Sequence, residues 1–314
     1  MPAGSKLVSA SPHKASFWTS TARLVTALPD GSPKTYFLKV AQDDLGSGML
    51  KGEYESAKLL HSILPDALPR PVGQGIFKSE SNTHFYLCDF VDMNEELPDP
   101  AKFCAQLAKL HQGSIPLSPK GKFGFHVSTY QGNMPQNNAW CDTWEEYYVR
   151  GLKDFIKQEK AVRGPSEELD ELLPVFFDKV VPRLLRPLET GGRKIEPCLL
   201  HGDIWYGNIA KHAATDEPIM FDPAAFWAHN EYELGSFRVP RYKLGWKWLH
   251  EYCKHFPKSS PKEDWEDRIL IYSIHTHFCA STLYPLNTEI RQMAIDDITY
   301  LIKKYPEGLA GFKG

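Results

Sequence analysis

The chain predicts an α+β protein of two lobes, a small β-rich one over residues 1–91 and a larger, mainly helical one over 92–314. Three observations predict it. Residues 21–28 and 34–40 read as β-rich segments with period-two alternation, joined by the turn Pro29-Asp30-Gly31-Ser32. Helical spacing takes over at 49–64, returns at Asp99-Pro100, and holds from about Arg241 to the end. Between the helical stretches, residues 197–200, 209–210 and 218–221 are short apolar runs bounded by turn residues, which is the pattern of buried strands.

With 314 residues, 42% hydrophobic and 24% charged, the chain has an ordinary globular balance and ample core for one large domain or two lobes. A net charge of −3 gives no electrostatic reason to bind nucleic acid. No apolar run approaches a membrane span, and Met1-Pro2-Ala3-Gly4-Ser5-Lys6 lacks the apolar core of a signal peptide. Six cysteines lie scattered with no C-x-x-C pair, so a reduced, cytoplasmic setting without nucleic-acid or membrane partners is the expectation.

Taken in order, the first element of interest is the strand 34–40. Lys39 interrupts its apolar run, and a lysine is rarely buried without a partner. In the helix 49–64, Met49, Glu53, Ala57, Leu60 and Leu64 share one face, which puts Glu53 on an apolar stripe. A carboxylate there is costly unless paired, so the two elements predict a Lys39–Glu53 ion pair. Glu55 points elsewhere on the wheel, toward solvent. Residues 69–75 read as a connection, and 83–92 as a strand running into a hinge.

Asp99 and Pro100 stand as N-cap and first residue of a helix whose amphipathic face carries Phe103, Leu107, Leu110 and His111. Residues 112–139, rich in Gly, Pro, Asn and Ser, read as a long surface connection. Residues 140–160 form an aromatic-rich core helix, 166–186 another, and Gly191-Gly192-Arg193 loops into the short strands.

Those strands carry the chemistry. Leu200-His201-Gly202-Asp203-Ile204-Trp205-Tyr206-Gly207-Asn208 is followed by Phe221-Asp222-Pro223. Asp, Asn and Asp at this spacing match the protein-kinase layout: one carboxylate takes the substrate hydroxyl proton, while the amide and second carboxylate hold Mg²⁺. A loose phosphoryl-transfer transition state needs positioning and cations, and hard oxygen ligands suit Mg²⁺. An isolated D-x-x-x-x-N is common. Here all three side chains sit at the ends of apolar runs, which makes a site rather than a solvated face.

The chain resembles the fructosamine kinase/ketosamine-3-kinase family, in the aminoglycoside-phosphotransferase-like branch of the protein-kinase-like fold. Residues 199–208 are similar to its L-L-H-G-D-L-W-x-G-N, and 221–234 to its (F/Y)-D-P-A-x-(F/Y)-x-G-(H/D)-x-E-x-(D/E)-L. Lys122-Phe123-Gly124-Phe125-His126, Pro135-Gln136 and Trp140 resemble G-F-G-F-H…P-Q…W, and Gly52-Glu53 its helix G-E. The resemblance implies a bilobal kinase-like fold, ATP and Mg²⁺ as cofactors, and phosphorylation of the 3-hydroxyl of ketoamines, free or on glycated protein lysines, promoting deglycation. It implies Asp203 as the base, Asn208 and Asp222 as metal ligands, and Lys39 with Glu53 as the phosphate grip. Adenine would meet the backbone at Asp89, Phe90 and Val91. Trp205 would wall the sugar pocket, with His229 and Glu231 beside the substrate, although buried pairing is an equal reading for Glu231 and Glu233.

Two departures stand out. The phosphate-loop stretch Ser9-Ala10-Ser11-Pro12-His13-Lys14-Ala15-Ser16 has no glycine, so Ser11 and Ser16 are candidates to replace backbone contacts. The C-terminal helix lacks a clear His/Asn-rich patch, although His275 and His277 are nearby. Two other readings fit the same residues: a kinase for another small alcohol or amine, and a nucleotide-binding pseudokinase.

Overall fold

The computed structural model describes residues 1–14 and 17–313. β1 (Lys6–Pro12), β2 (Ser20–Ala27) and β3 (Pro33–Gln42) lead into α1 (Asp43–Ile63), then β4 (Pro71–Phe77) and β5 (Glu80–Asp89). These five strands form one antiparallel sheet in the order β1-β2-β3-β5-β4. The stretch 69–75, read as a connection, is largely β4. It is an edge strand paired only with β5, where Pro71, Gly73 and Gly75 are tolerated and mask the strand pattern. Helix α1 starts earlier than its apolar periodicity suggests, because Gly46 and Gly48 weaken the helical signal in its first turns.

The helical lobe begins past β6 (Met93–Asn94) with α2 (Pro100–Ser114), whose Asp99 cap accepts from the N–H groups of Ala101 and Lys102 at 3.0 and 3.1 Å. The hairpin β7 (Tyr130–Gln131) and β8 (Met134–Pro135) precedes α3 (Trp144–Arg163), capped by Thr143. The predicted helix over 166–186 is broken into α4 (Glu167–Val175), a π turn over Phe176–Val180, and α5 (Val181–Leu185). Pro182 has no N–H to offer the carbonyl of Asp178, and the helix widens ahead of it.

β9 (Cys198–Leu200), β10 (Ile209–His212), β11 (Pro218–Met220) and β12 (Phe226–Ala228) are short; β12 pairs β9, and β10 joins β11 to β6. Then come α6 (Asn230–Arg238), α7 (Trp246–His255), α8 (Trp265–Leu283) and α9 (Glu289–Lys304). Nearly every residue of α8 is buried, with α6, α3 and α9 packed around it. No helix among the described residues is long and apolar enough to cross a membrane.

The segment 112–139 is not the surface loop its composition suggests. Phe123, Phe125, Thr129, Gln131, Met134, Gln136 and Asn138 are all buried. Its polar residues bond one another: the Gln136 and Asn138 amides donate to Thr129 Oγ1, and Tyr147 of α3 donates to Asn138. The segment folds inward because its polar groups find partners there, which composition cannot reveal.

Two imidazoles deep in this lobe make stability pH-dependent. His229 lies against the hydroxyls of Tyr272 (2.9 Å) and Ser259 (2.8 Å), and burial pushes its pKa down to about 4. His275 stacks on Tyr232, and burial likewise lowers it to about 4. The unfolded chain therefore binds more protons as pH falls from about 6.5. Their contribution is full above that pH and is lost toward pH 4. Burial raises the Asp203 and Glu53 carboxyls in the folded state, which opposes this trend, so the histidine contribution is read by difference. The loss of unfolding free energy from pH 7.5 to 5 is expected to be smaller in His275→Gln than in wild type, by on the order of 2 kcal/mol at pH 5. An identical pH dependence in wild type and variant would contradict a buried neutral His275.

Candidate active site

The lobes meet around one ammonium. Lys39 projects from β3, 7% exposed, and contacts both Glu53 oxygens at 2.8 and 2.9 Å. The ion pair read from the sequence therefore forms. Asp222 reaches the same nitrogen from the other lobe at 2.7 Å. Burial works against the charged amine, but Asp222 and Glu53 outweigh it and hold its pKa above the usual lysine value. Asp222 itself sits at φ +56°, in the left-handed region where Asp is tolerated better than most side chains.

The loop bearing Asp203 is held by its backbone. The buried Glu233 carboxylate accepts from the N–H groups of His201 (2.6 Å) and Gly202 (3.0 Å). His201 bonds the Phe221 carbonyl through Nε2 at 3.0 Å, joining this loop to the residue before Asp222. Its Nδ1 accepts from the Asp203 N–H at 3.4 Å, so the two contacts agree on one neutral tautomer. Gly202, at φ +84°, has no substitute: a Cβ there would lie 2.1 Å from the Ala224 carbonyl oxygen. From the inward-folded segment, Gln131 donates to the Gly202 carbonyl at 2.7 Å.

Asn208 donates to both the carbonyl and the carboxylate of Asp203, each at 2.9 Å. Its amide nitrogen is thus committed, which leaves the oxygen for a cation. Burial, and then the neighbouring Asp222 charge, push the Asp203 carboxyl up to about 7. That is suited to accepting a proton near neutral pH.

Two cavities flank this cluster. One runs under the β-sheet and is lined by His13, Phe37, Tyr86, Phe90, Val91 and Asp222. The Asp89 side chain turns away to Lys34 (2.9 Å) and Arg70 (3.1 Å), so only backbone is offered at this hinge. The Phe90 N–H is spent on Thr35. At the phosphate-loop stretch, Ser11 pairs with Arg23 inside β1–β2, and Ser16 lies outside the described residues. The imidazole of His13 instead packs edge-on against Phe37 and Phe90.

The second cavity contains Asp203 with Gln131, Tyr242, His275 and Thr276. Trp205 stands nearby, its ring against Tyr242 at 5.9 Å between centroids and flat on Gly207, where a Cβ would come within 2.4 Å.

His229 and Glu231 line neither cavity. Glu231 is buried in a bidentate pair with Arg268 (2.7 and 3.2 Å) and accepts from the Ser259 N–H at 2.7 Å. For these two the geometry favours internal pairing over substrate contact: in the apolar surroundings of α6 and α8 their polar groups are met by protein partners. Gln131, Tyr242 and Thr276 were missed from the sequence, since nothing in their local pattern separates them from packing residues.

The fold and this cluster define a phosphotransferase of protein-kinase-like architecture. A family model described as fructosamine kinase matches residues 21–299, and the chain belongs to that family. It is 29% identical over 253 residues to a chloroplastic protein-ribulosamine 3-kinase of Arabidopsis thaliana, covering 78% of this chain and 70% of that one. It is 30% identical over 219 residues to ketosamine-3-kinase of Mus musculus, covering 63% and 67%. Among solved structures, a candidate fructosamine-3-kinase from Thermobifida fusca superposes with TM-score 0.74 at 21% identity, covering 96% and 95%. The ADP-bound aminoglycoside phosphotransferase APH(2'')-Ib superposes at 0.59 and 13% identity, covering 97% and 95%. At those identities the superpositions establish the fold.

Replacing Glu231 by Ala separates internal pairing from substrate contact. It strands a buried guanidinium, and a loss of about 3–5 kcal/mol in unfolding free energy is expected. The KM for the acceptor should stay within about twofold in whatever fraction folds. A raised acceptor KM without loss of stability would restore the substrate role.

Proposed function

We propose that the protein transfers the terminal phosphoryl group of ATP to the 3-hydroxyl of ketosamines, free or on glycated lysines, promoting deglycation. The observation that carries this reading is the convergence of Lys39, Glu53 and Asp222 on one contact network beside the bonded pair Asp203–Asn208. The relatives named for ribulosamine and ketosamine support the choice of acceptor.

The residues divide the work. Adenine enters the cavity under the sheet between Phe37 and the hinge at Asp89, Phe90 and Val91. Lys39, held charged by its two carboxylates, contacts the phosphates and gives up Asp222 as it does so. Asn208 and Asp222 supply hard oxygen donors that fit Mg²⁺, which usually takes one or two protein carboxylates plus phosphates. When bound, that ion would neutralise the charge developing on the transferred group. Asp203 orients the sugar hydroxyl and accepts its proton, at a carboxyl already poised near neutrality. Trp205 does not line the acceptor cavity itself but packs on Tyr242, which does, and so backs that wall. The six cysteines, all unpaired, suit the reducing cytoplasm.

The test is phosphate transfer from ATP to ribuloselysine and fructoselysine, beside an aminoglycoside and choline. Ketosamine turnover is expected, and Asp203→Asn should lower kcat by about 10²–10⁴ while leaving nucleotide binding in place. Transfer only to the non-ketosamine acceptors, or full activity of the Asn variant, would sink the proposal.

A further inference from the structure

We propose that Ser56 is a positioning residue for phosphoryl transfer. It ties the helix that carries Glu53 to the strand of backbone that carries Asp222, so the Lys39–Glu53 pair and Asp222 keep their register across the cleft where the phosphates would enter. The inference rests on the ATP-dependent reading above.

Ser56 lies three residues past Glu53 on α1 and is fully buried. Its hydroxyl donates to the Gly52 carbonyl at 2.7 Å, and the same oxygen accepts the Ala225 N–H at 3.0 Å. Ala225 is three residues past Asp222. The neighbouring Ala224 is bound from two other directions: its N–H donates to the His201 carbonyl at 2.9 Å, and its carbonyl accepts from Gln136 at 3.1 Å. The segment after Asp222 is thus gripped by the Asp203 loop, by the inward-folded segment and, through Ser56, by the N-lobe.

The seat of α1 is backbone on backbone. A Cβ at Gly52 would lie 2.6 Å from the Ser128 carbonyl oxygen and 3.1 Å from Thr129 Cα. At Gly48 it would meet the Tyr130 hydroxyl at 2.4 Å. The helix therefore rests directly on the C-lobe along one edge, and Ser56 supplies a directional bond at that contact. Glu53 and Asp222 come from different lobes, and Lys39 can bridge them only while the lobes keep this register.

Ser56→Ala leaves the buried Ala225 N–H without its acceptor and frees Asp222 relative to Glu53. The dissociation constant for ADP in the presence of Mg²⁺, measured by calorimetry, is expected to rise about tenfold. The kcat should fall by a similar factor, with the KM for ribuloselysine within about twofold. Combined with Glu53→Gln, the effects should be non-additive, since both substitutions break the same unit. Ser56→Cys keeps a side-chain donor and a weak acceptor at slightly larger volume; should Ala fold poorly, Cys is expected to weaken ADP binding and kcat in the same direction by less than about tenfold. A lowered Tm with unchanged ADP affinity and kcat, or additive effects in the double variant, would overturn the proposal. The ADP titration needs no sugar. Wild-type protein that binds ADP but phosphorylates no ketosamine would defeat the acceptor assignment, while the Ser56 comparison still stands or falls on its own affinities.

Discussion

One buried ammonium shared by two carboxylates organises this molecule. An unpaired charge at the position of Lys39 would be strongly disfavoured, and a single carboxylate from α1 would make its pairing indifferent to the far side of the cleft. By meeting Glu53 from α1 and Asp222 from the far side of the cleft, Lys39 makes its own burial depend on lobe closure. The electrostatic need of one side chain becomes a constraint on the arrangement of two lobes. On the proposed function, the same geometry offers a positive charge to the phosphates and a carboxylate to a divalent cation.

Around that centre the structure uses backbone groups as its fixing points. Glu233 holds two N–H groups of the loop that carries Asp203, Gln131 and Gln136 reach the carbonyls of Gly202 and Ala224, and His201 spans from Asp203 to Phe221. Glu231 and Glu233, two residues apart on α6, do unlike things: one neutralises Arg268 in the core, the other holds the loop that carries Asp203.

Much of this was legible in the sequence because the constraints are local. Lys39 in an apolar strand and Glu53 on an apolar helical stripe each imply a missing partner, and the spacing of Asp203, Asn208 and Asp222 needs no tertiary knowledge. The edge strand β4 was hidden by Pro71, Gly73 and Gly75, which are tolerated at a sheet edge but read as a loop. The stretch 112–139 failed for a deeper reason. Its Asn, Gln and Thr residues look solvated one by one, and only the fold shows that Thr129, Gln136 and Asn138 satisfy each other. His229 and Glu231 were placed beside the substrate by motif position, whereas Ser259 and Arg268, 30 and 37 residues on, decide their environment.

The most direct test of the shared ammonium is calorimetric titration of Lys39→Met with ADP and Mg²⁺, on protein whose circular dichroism matches wild type. The account predicts an affinity at least about thirtyfold weaker, corresponding to roughly 2 kcal/mol of lost charge interaction. Binding within about twofold of wild type would contradict it, because the two carboxylates would then hold the nucleotide site together without the cation between them.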